Sequence, residues 1–505
     1  MGTTNSHDKS SLDNHMAGIL TDSAQYINHQ EIPNKLLAQC KEVNFEAKIL
    51  EVKDALENNS NSKYTKAEID KQLAFIKQGQ QHYYVMIAEE IFRIADDNNY
   101  GICKHLNQIY LFNGAFWAPI DKDTFQRFLG EAALNMGIIR FKAKLFHFKE
   151  NLCKQFYSDA HTPILTANNN EVLINLQNGT YAITPQGSSL RPFNKDEMLT
   201  YQLSFKFDKN AKATRFQEYL DRVLPDKSKQ LVLAEYIGYL FVRNGSATLK
   251  EEKVLLLYGV GANGKSVFFE IVNALLGKEN VSNNSLKNLT NENGYYRASL
   301  ASKLLNYASE ICGKMETNIF KQMVSGEPID ARLPYGEPFI ITQYAKMIFN
   351  CNELPKDIER TNAFFRRFLI IHFAETIPPH EQDKELHTKI IDNELAGVFN
   401  WALEGLNRLL NQKGFSKCEA IELAREEYKI QSDSILTFLL DENYKPSTTK
   451  SKPLKELYQE YSNFCHDNGY RRCGNKQFSK RLISENYVNS RNALGTIFFI
   501  EKINF

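Results

Sequence analysis

The chain has 505 residues, of which 43% are hydrophobic and 24% are charged, and its formal net charge is +1. This composition is typical of a globular protein of three or four domains, and it excludes a fibrous or largely disordered chain. Eight scattered cysteines without a Cys-x-x-Cys pair argue against a zinc ribbon. Because no apolar run is long enough to span a membrane, we expect a cytoplasmic protein.

Two regions are predicted before the most informative part of the sequence. Residues 1–80 are polar and then helical in pattern, and residues 81–210 predict a mixed α+β domain. Within it, Val85–Ile94 has helical spacing of its apolar residues. Gln108–Trp117 and Val172–Tyr181 each contain an Asn-Gly pair between apolar segments, which predicts two β-hairpins.

The next region, residues 211–411, begins with two predicted helices over Phe216–Val242 and then contains a phosphate-binding pattern. An apolar strand over Lys253–Tyr258 leads into Gly-Val-Gly-Ala-Asn-Gly-Lys-Ser, and a helix over Val267–Leu276 follows. Loop N–H groups and a helix N-terminus bind phosphate well, while the lysine and the serine reach the β- and γ-phosphates and Mg²⁺. The expected cofactors are therefore ATP and Mg²⁺. The expected binding residues are Gly259, Gly261, Ala262, Asn263, Gly264, Lys265, Ser266 and Val267, with Ser266 as a ligand of the metal.

Hydrolysis also needs an acid that orients water, a sensor of the γ-phosphate and a cation. One short predicted strand ends at Glu310, the candidate acid and second magnesium ligand, and another ends at Asn352, the candidate sensor. Arg366 and Arg367 lie between aromatic residues and are candidates for an arginine finger that reaches a neighbouring subunit. The alternatives are a turn residue for Asn352 and an ordinary surface pair for the arginines.

The carboxyl-terminal part is predicted as a helical connector over residues 412–445 and a basic module over residues 446–505. Residues 445–505 contain 11 Lys and Arg against 5 Asp and Glu, and residues 446–452 suggest a polar connector. A helix beginning at Pro453, a second helix and a hairpin turning near Gly495 follow in the order of a winged helix, a DNA-binding fold. The alternative is a module for protein contacts. The expected DNA contacts are Lys476, Lys480, Arg481 and Arg491.

Six motifs, taken together and in this order, resemble the superfamily 3 helicases of the phage and plasmid primase type, which include the poxvirus-type primase-helicases. The resemblance covers roughly residues 80–505. The motifs are Gly259–Ser266, Ala308–Glu310, Ser325–Ile329, Arg332 with Tyr335–Pro338, Asn352–Pro355 and Phe365–Arg367.

The resemblance implies an AAA+-like P-loop motor with a parallel sheet, which assembles as a ring with an expected six subunits and moves 3′ to 5′ on DNA. It implies that Ile329–Ile341 is a hairpin in the central channel, where Arg332 and Tyr335 meet the DNA phosphates. It also makes Glu310 the water-activating acid. Because Ser309 stands where many members have a further acid, magnesium support falls on another residue, for which Glu316 is one candidate.

Three functions remain open at this stage. The leading one is an ATP-dependent replicative helicase of a phage, plasmid or mobile element, and the others are an ATP-switched DNA-binding initiator or loader and a nucleotide switch acting on proteins. The expected partners are single-stranded and forked DNA, further copies of the chain, and a separate primase or initiator. The carboxylate pairs before the motor, at Asp96-Asp97 and at Asp121 and Asp123, do not end convincing strands, so no primase centre is expected.

Overall fold

The computed structural model describes residues 28–58, 64–160, 170–308, 315–334, 336–352, 361–470, 472–492 and 495–503. The chain divides into two compact units between Phe207 and Asp208. In the described ranges, no helix is long and apolar enough to cross a membrane. None of the seven cysteines in these ranges forms a disulfide, and all but Cys473 are buried.

The first unit combines helices with two small antiparallel sheets. Its α-helices are α1 (Ile32–Gln39), α2 (Phe45–Glu57), α3 (Lys66–Gly79), α4 (His82–Asp97), α5 (Lys122–Asn135), α6 (Arg140–Lys144) and α7 (Phe146–Asp159). Its strands are β1 (Gly101–His105), β2 (Gln108–Phe112), β3 (Trp117–Ile120), β4 (Val172–Leu176), β5 (Gly179–Thr184) and β6 (Gly187–Arg191). Each sheet has three strands in chain order.

Both predicted hairpins of the first unit are present, as β2–β3 and β4–β5. The turn of the first hairpin is longer than predicted, because the Asn113 side chain accepts hydrogen bonds from the N–H groups of Ala115 and Phe116, each at 3.0 Å. The predicted helix around Val85–Ile94 is α4. It buries Ile87, Ile91 and Ile94 at helical spacing in the core of this unit.

The second unit has eleven α-helices among its described residues. They are α8 (Thr214–Val223), α9 (Lys227–Tyr239), α10 (Lys265–Leu276), α11 (Leu286–Leu289), α12 (Thr317–Val324), α13 (Asn362–Phe365), α14 (Leu386–Gln412), α15 (Glu419–Gln431), α16 (Ser434–Asp441), α17 (Leu454–Asp467) and α18 (Asn475–Ser484). Its strands are β7 (Val254–Tyr258), β8 (Val281–Ser282), β9 (Leu305–Ala308), β10 (Ile329–Arg332), β11 (Pro338–Ile341), β12 (Lys346–Cys351), β13 (Phe368–His372), β14 (Tyr444–Pro453), β15 (Asn489–Asn492) and β16 (Gly495–Lys502).

A parallel five-stranded sheet in the order β13-β7-β12-β9-β8 forms the centre of the second unit, which confirms the predicted α/β class with a parallel sheet. Strand β7 is buried between β12 and β13, as its continuous apolar sequence predicts. The carboxyl ends of β7, β12 and β13 therefore lie side by side at one edge of the sheet. Ligands of open α/β sheets bind outside this edge.

The end of the chain forms a smaller sheet in the order β14-β16-β15, with α17 and α18 between the first two strands in sequence. The predicted polar connector at residues 446–452 is wrong, because these residues belong to β14. Polar side chains alone suggested a loop, whereas pairing with β16 extends the backbone. The predicted hairpin is present, but its first strand begins at Asn489 rather than at the buried Tyr487.

Candidate nucleotide-binding site and hairpin

A glycine-rich loop joins β7 to α10 and borders a cavity of about 860 Å³. The loop is tied to the two neighbouring strands: the Gly259 N–H donates to the Cys351 carbonyl at 3.2 Å, and the Asn263 side-chain amide donates to the Phe373 carbonyl at 3.1 Å. The Tyr219 hydroxyl of α8 donates to the Gly264 carbonyl at 2.8 Å. These bonds to three neighbouring elements fix the shape of the loop.

Glycine is required at two points of this loop. Gly259 has φ +153°, and a Cβ there would lie 2.4 Å from the Phe373 carbonyl oxygen. Gly264 has φ +88°, and its Cβ would lie 2.7 Å from Val223 of α8. A side chain at either position would therefore push the loop away from the sheet or from α8.

Lys265, the first residue of α10, is buried and held inside the loop. Its ammonium donates to the Gly259 carbonyl at 2.6 Å, to the Val260 carbonyl at 3.3 Å and to the Asn263 side-chain oxygen at 3.0 Å. Burial lowers its pKa, and all three acceptors are neutral oxygens. A charged lysine with only neutral partners favours an incoming anion, which fits a phosphate at this position.

Of the eight residues predicted to bind the nucleotide, seven line the cavity. They are Gly261, Ala262, Asn263, Gly264, Lys265, Ser266 and Val267. Gly259 is not among the lining residues and instead anchors the loop to the sheet. The amino terminus of α10 therefore opens on a space whose volume and donor groups fit a nucleoside triphosphate.

The strand-end residues are partly described. Asn352 follows β12 and lines the same cavity, together with Asn350 and Cys351. Burial raises the pKa of the Cys351 thiol to about 12, so it stays protonated beside the loop. Glu310 follows β9, the other neighbour of β12, but lies outside the described residues. Glu316 is exposed just before α12 and is not among the described residues that line the cavity.

Sequence reasoning missed the outer wall of the cavity. Apolar side chains of Val223, Ile377 and Leu386 line it, next to charged side chains from α8 and from the segment before α14. Arg222 of α8 forms an ion pair with Glu381 across this wall. These residues form no recognisable pattern in the sequence. The backbone bond from the Ile377 N–H to the Ala262 carbonyl, at 2.8 Å, is what brings the second segment to the loop.

The two candidate finger arginines differ sharply in their surroundings. Arg366 is 64% exposed and pairs with Glu252 at 3.2 Å. The Arg367 side chain is 9% exposed, and it pairs with Glu252 at 3.0 Å and donates to the Ser325 hydroxyl at 3.1 Å. Both arginines precede the amino end of β13, whereas the cavity lies at the carboxyl ends of the strands. The extended chain of six residues from Arg366 to His372 separates the two ends by about 20 Å. Neither arginine therefore lies at the cavity of its own subunit.

The predicted hairpin over Ile329–Ile341 is present as the antiparallel pair β10–β11. Arg332 at the end of β10 is exposed, and its guanidinium donates to the Gly336 carbonyl at 2.8 Å. Tyr335, the other predicted DNA contact here, lies outside the described residues. Sequence reasoning missed exposed Tyr295, whose ring centre lies 5.9 Å from the Arg332 guanidinium.

A buried arginine fixes the neighbouring loop to this hairpin. Arg297 is 1% exposed and donates to the Asp330 carbonyl at 2.7 Å and to the Asp330 carboxylate at 2.5 Å. It also donates to the carbonyls of Leu289 and Asn291. The loop that carries Tyr295 and the strand that carries Arg332 are therefore linked by one side chain.

At the root of the hairpin, Lys346 begins β12 with its ammonium buried. The ammonium donates to the Asn244 side-chain oxygen and lies 4.6 Å from the centre of the Tyr239 ring. Burial lowers its pKa from 10.5 to about 7. Near pH 8 to 10 the folded chain holds this amine neutral while the unfolded chain holds it charged, so the free energy of unfolding rises with pH between about 7 and 10.5.

Replacing Lys346 with methionine is therefore expected to stabilise the protein at pH 7 by about 1–2 kcal/mol, because a neutral side chain replaces a buried charge while Asn244 loses one donor. The gain should shrink at pH 10, where the wild-type amine is neutral in the fold and partly neutral when unfolded. Thermal unfolding midpoints at the two pH values measure this. Lys287→Met, at an exposed position, is the control and should change neither midpoint. An equal gain at both pH values would contradict the assignment.

The four predicted DNA contacts of the carboxyl-terminal module fall into two groups. Lys476 and Lys480 on α18 and Arg491 on β15 are exposed. Arg481 is half-buried, and its guanidinium pairs with the buried Asp433 at 3.0 Å and with Glu485 at 2.8 Å. These ion pairs hold α18 against the start of α16, and a DNA contact of Arg481 stays a prediction.

Three family descriptions match separate parts of the chain. Residues 93–225 match a family described as D5 N terminal like, residues 257–367 match a family of unknown function (DUF5906), and residues 430–502 match a family described as poxvirus D5 protein-like. A relative named putative helicase L207/L206, from Acanthamoeba polyphaga mimivirus, is 24% identical over 383 residues. That match covers 68% of this chain but 38% of the relative, so the chain spans well under half of that protein.

Solved structures of the apo NrS-1 C-terminal region, residues 305–718, are also similar. Two of them are 13% and 14% identical, with a TM-score of 0.47 each, and cover 82% of this chain and 98% of the other. The family matches and the named helicase confirm the predicted resemblance to phage and viral primase-helicases.

Proposed function

We propose that this chain, which is of the phage and viral primase-helicase type, is an ATP-dependent replicative DNA helicase of a virus, phage, plasmid or other mobile element. The observation that carries the proposal is the shared cavity. The glycine-rich loop, the buried Lys265 and the strand-end Asn352 all line it, at the carboxyl edge of a parallel sheet. This arrangement supports a P-loop, AAA+-like motor.

Each residue then has a specific task. Loop N–H groups and the amino terminus of α10 receive the triphosphate, and the Lys265 ammonium exchanges its carbonyl acceptors for phosphate oxygens. Mg²⁺, held by the Ser266 hydroxyl and phosphate, would neutralise charge on the leaving group. Glu310 would orient the attacking water and Asn352 would sense the γ-phosphate.

Completion of this site needs a second subunit. Because Arg366 lies on the opposite edge of the sheet from its own cavity, it stabilises the transition state only in a neighbouring copy. Such a contact joins unlike surfaces of two copies, and repetition of that contact closes a ring. This geometry supports a ring-forming enzyme, for which six subunits is the expected number.

DNA contact is proposed for two places in the second unit. Exposed Arg332 on the β10–β11 hairpin, with Tyr295 beside it, offers a cation and an aromatic ring to a single strand without reading its sequence. The helix-helix-hairpin order of the carboxyl-terminal module supports a winged helix, in which Lys476 and Lys480 would approach duplex phosphates.

Strand separation on a tailed duplex tests the function, and Arg332→Ala tests the mechanism. A motor should unwind a 3′-tailed duplex with ATP, and the variant should lose about tenfold or more of its DNA-stimulated ATPase, because one phosphate contact is removed from every subunit. Exposed Lys287→Ala is the matched control and should keep both activities.

The alternative is an initiator or loader in which ATP only switches assembly, and the basic carboxyl-terminal module favours it as an origin-binding part. This alternative predicts assembly with nucleotide but no strand separation at any DNA concentration. It also predicts that Arg332→Ala leaves ATP-dependent assembly and ATPase unchanged. That pair of results would replace the helicase assignment.

A further inference from the structure

The first unit carries an exposed aromatic and basic surface that the proposed function does not use. Phe141 of α6 is 88% exposed, and Phe146 at the start of α7 is 61% exposed. Ile139 and Leu145, which flank α6, are exposed as well. We call these four residues and Arg140 the α6 patch. Two phenylalanine rings this open on one short segment are unusual, because such rings normally enter a core.

The charge of this segment is of one sign. Residues 139–149 contain one Arg, three Lys and one His, and no Asp or Glu. Lys144 is neutralised by an ion pair with Glu131, and Lys142 lies 3.8 Å from the centre of the Tyr83 ring. Arg140 remains exposed beside Phe141. The patch therefore presents the Arg140 cation next to open rings, in a segment without acidic residues, which favours a polyanion.

A polar groove of about 560 Å³ lies along α7, the helix that begins at Phe146. The described residues that line it include no Asp or Glu. The lining residues are Gly79, Gln81, Tyr84, Val85, Asn151, Lys154, Gln155 and Ser158. The Tyr84 ring, which lines the groove, lies 5.1 Å from the buried Phe148 ring of α7, so the same helix carries Phe146 of the patch and one wall of the groove.

The groove is built for neutral donors and acceptors. Side-chain amides of Gln81, Asn151 and Gln155 line it, and Lys154 supplies a cation. Lys154 pairs with Glu150 at 3.1 Å, and the Gln155 amide donates to Asp159 at 2.9 Å. Two carboxylates, Glu150 and Asp159, therefore lie next to the groove, and each is bonded to one of its lining residues.

We propose that the α6 patch and this groove bind single-stranded DNA. Open aromatic rings stack on unpaired bases of any sequence, cations track the backbone, and amides meet the exposed base edges. The bases of duplex DNA are paired and stacked and cannot stack on such rings, so a duplex would contact only the cations. A membrane surface would contact the rings and cations of the patch but would not fill a groove lined by amides.

This site goes beyond the proposed function, which places its DNA contacts in the second unit. It would hold the strand independently of nucleotide, since none of its residues is among the described residues that line the ATP cavity. The proposal and the motor assignment therefore fail separately: ATP hydrolysis measured without DNA reports on the motor, and strand affinity without nucleotide reports on the patch.

The experiment measures binding of a fluorescent 30-nucleotide oligo(dT) to the full chain without nucleotide, at several salt concentrations. The double variant Phe141→Ala, Phe146→Ala should bind about tenfold or more weakly, because stacking on each ring strengthens binding several-fold. Phe75→Ala, at a 68% exposed ring on α3, is the matched control and should bind like wild type. Phe141→Trp should retain binding, and Arg140→Ala should reduce the salt dependence.

The competing occupants give different results. If the double variant binds oligo(dT) like wild type, the proposal is overturned. If its affinity is unchanged and its molecular mass in solution falls, the patch is a contact between copies of the chain. If wild type binds anionic vesicles through these rings and the oligonucleotide does not compete, the ligand is a lipid surface. DNA-independent ATPase should be equal in all variants, which shows that the second unit is folded.

Discussion

Replacing Lys265 with alanine is expected to lower ATP hydrolysis by about 100-fold or more and to abolish strand separation. The ammonium is the one cation inside the glycine-rich loop among the described lining residues, and its three neutral acceptors leave its charge available to phosphate. Loss of one preorganised charge donor in a water-excluded site typically costs this much in rate. Steady-state phosphate release with and without single-stranded DNA measures the effect.

The control separates chemistry from folding. Lys278 is exposed just beyond the end of α10, and Lys278→Ala should hydrolyse ATP like wild type. Lys265→Ala also removes hydrogen bonds to two loop carbonyls, so its thermal midpoint is measured in parallel. A folded Lys265→Ala variant that still unwinds DNA at the wild-type rate would disprove the motor assignment.

The nucleotide site could be predicted from sequence because its residues are contiguous. The loop follows β7 directly, and Lys265 and Ser266 are the first two residues of α10, so local geometry alone brings them together. The position of Asn352 could be predicted in the same way, since parallel strands end at one edge. The outer wall with Arg222 and Glu381 could not be predicted, because residues 159 positions apart meet only through tertiary packing.

Charge patterns were the less reliable guide. Arg481 looks like its neighbours Lys476 and Lys480 in the sequence, but helical spacing turns it towards Asp433, 48 residues away. Residues 446–452 look like a linker, but an available strand edge on β16 converts them to sheet. The type of a polar side chain determines which groups it can bond to, but the fold determines whether its partner is solvent, backbone or a buried carboxylate.

Alanine substitutions of the two adjacent arginines should give opposite phenotypes, although the sequence pattern does not distinguish the two residues. Arg366→Ala is expected to leave the thermal midpoint nearly unchanged, because the side chain is 64% exposed and surface ion pairs add little stability. It should lower DNA-stimulated ATPase by about 1,000-fold or more, the usual contribution of an arginine finger.

Arg367→Ala is expected to act through folding. The side chain is 9% exposed and holds Glu252, Ser325 and the Ala363 carbonyl together, and its loss leaves Arg366 as the remaining partner of the Glu252 carboxylate. Loss of the bonds made by such a buried group costs about 2 kcal/mol, which should appear as a lower thermal midpoint. Arg367→Lys should recover part of the stability.

Mixing two inactive proteins makes the distinction decisive. Arg366→Ala subunits keep an intact cavity, and Lys265→Ala subunits keep an intact Arg366. If Arg366 acts on the neighbouring nucleotide, a mixture of the two should regain a fraction of wild-type ATPase at those interfaces where an intact cavity meets an intact arginine. A mixture of Lys265→Ala with the wild-type-like Lys278→Ala protein sets the upper limit. No recovery from well-folded, co-assembled subunits would show that Arg366 is not the finger and that its exposure serves another contact.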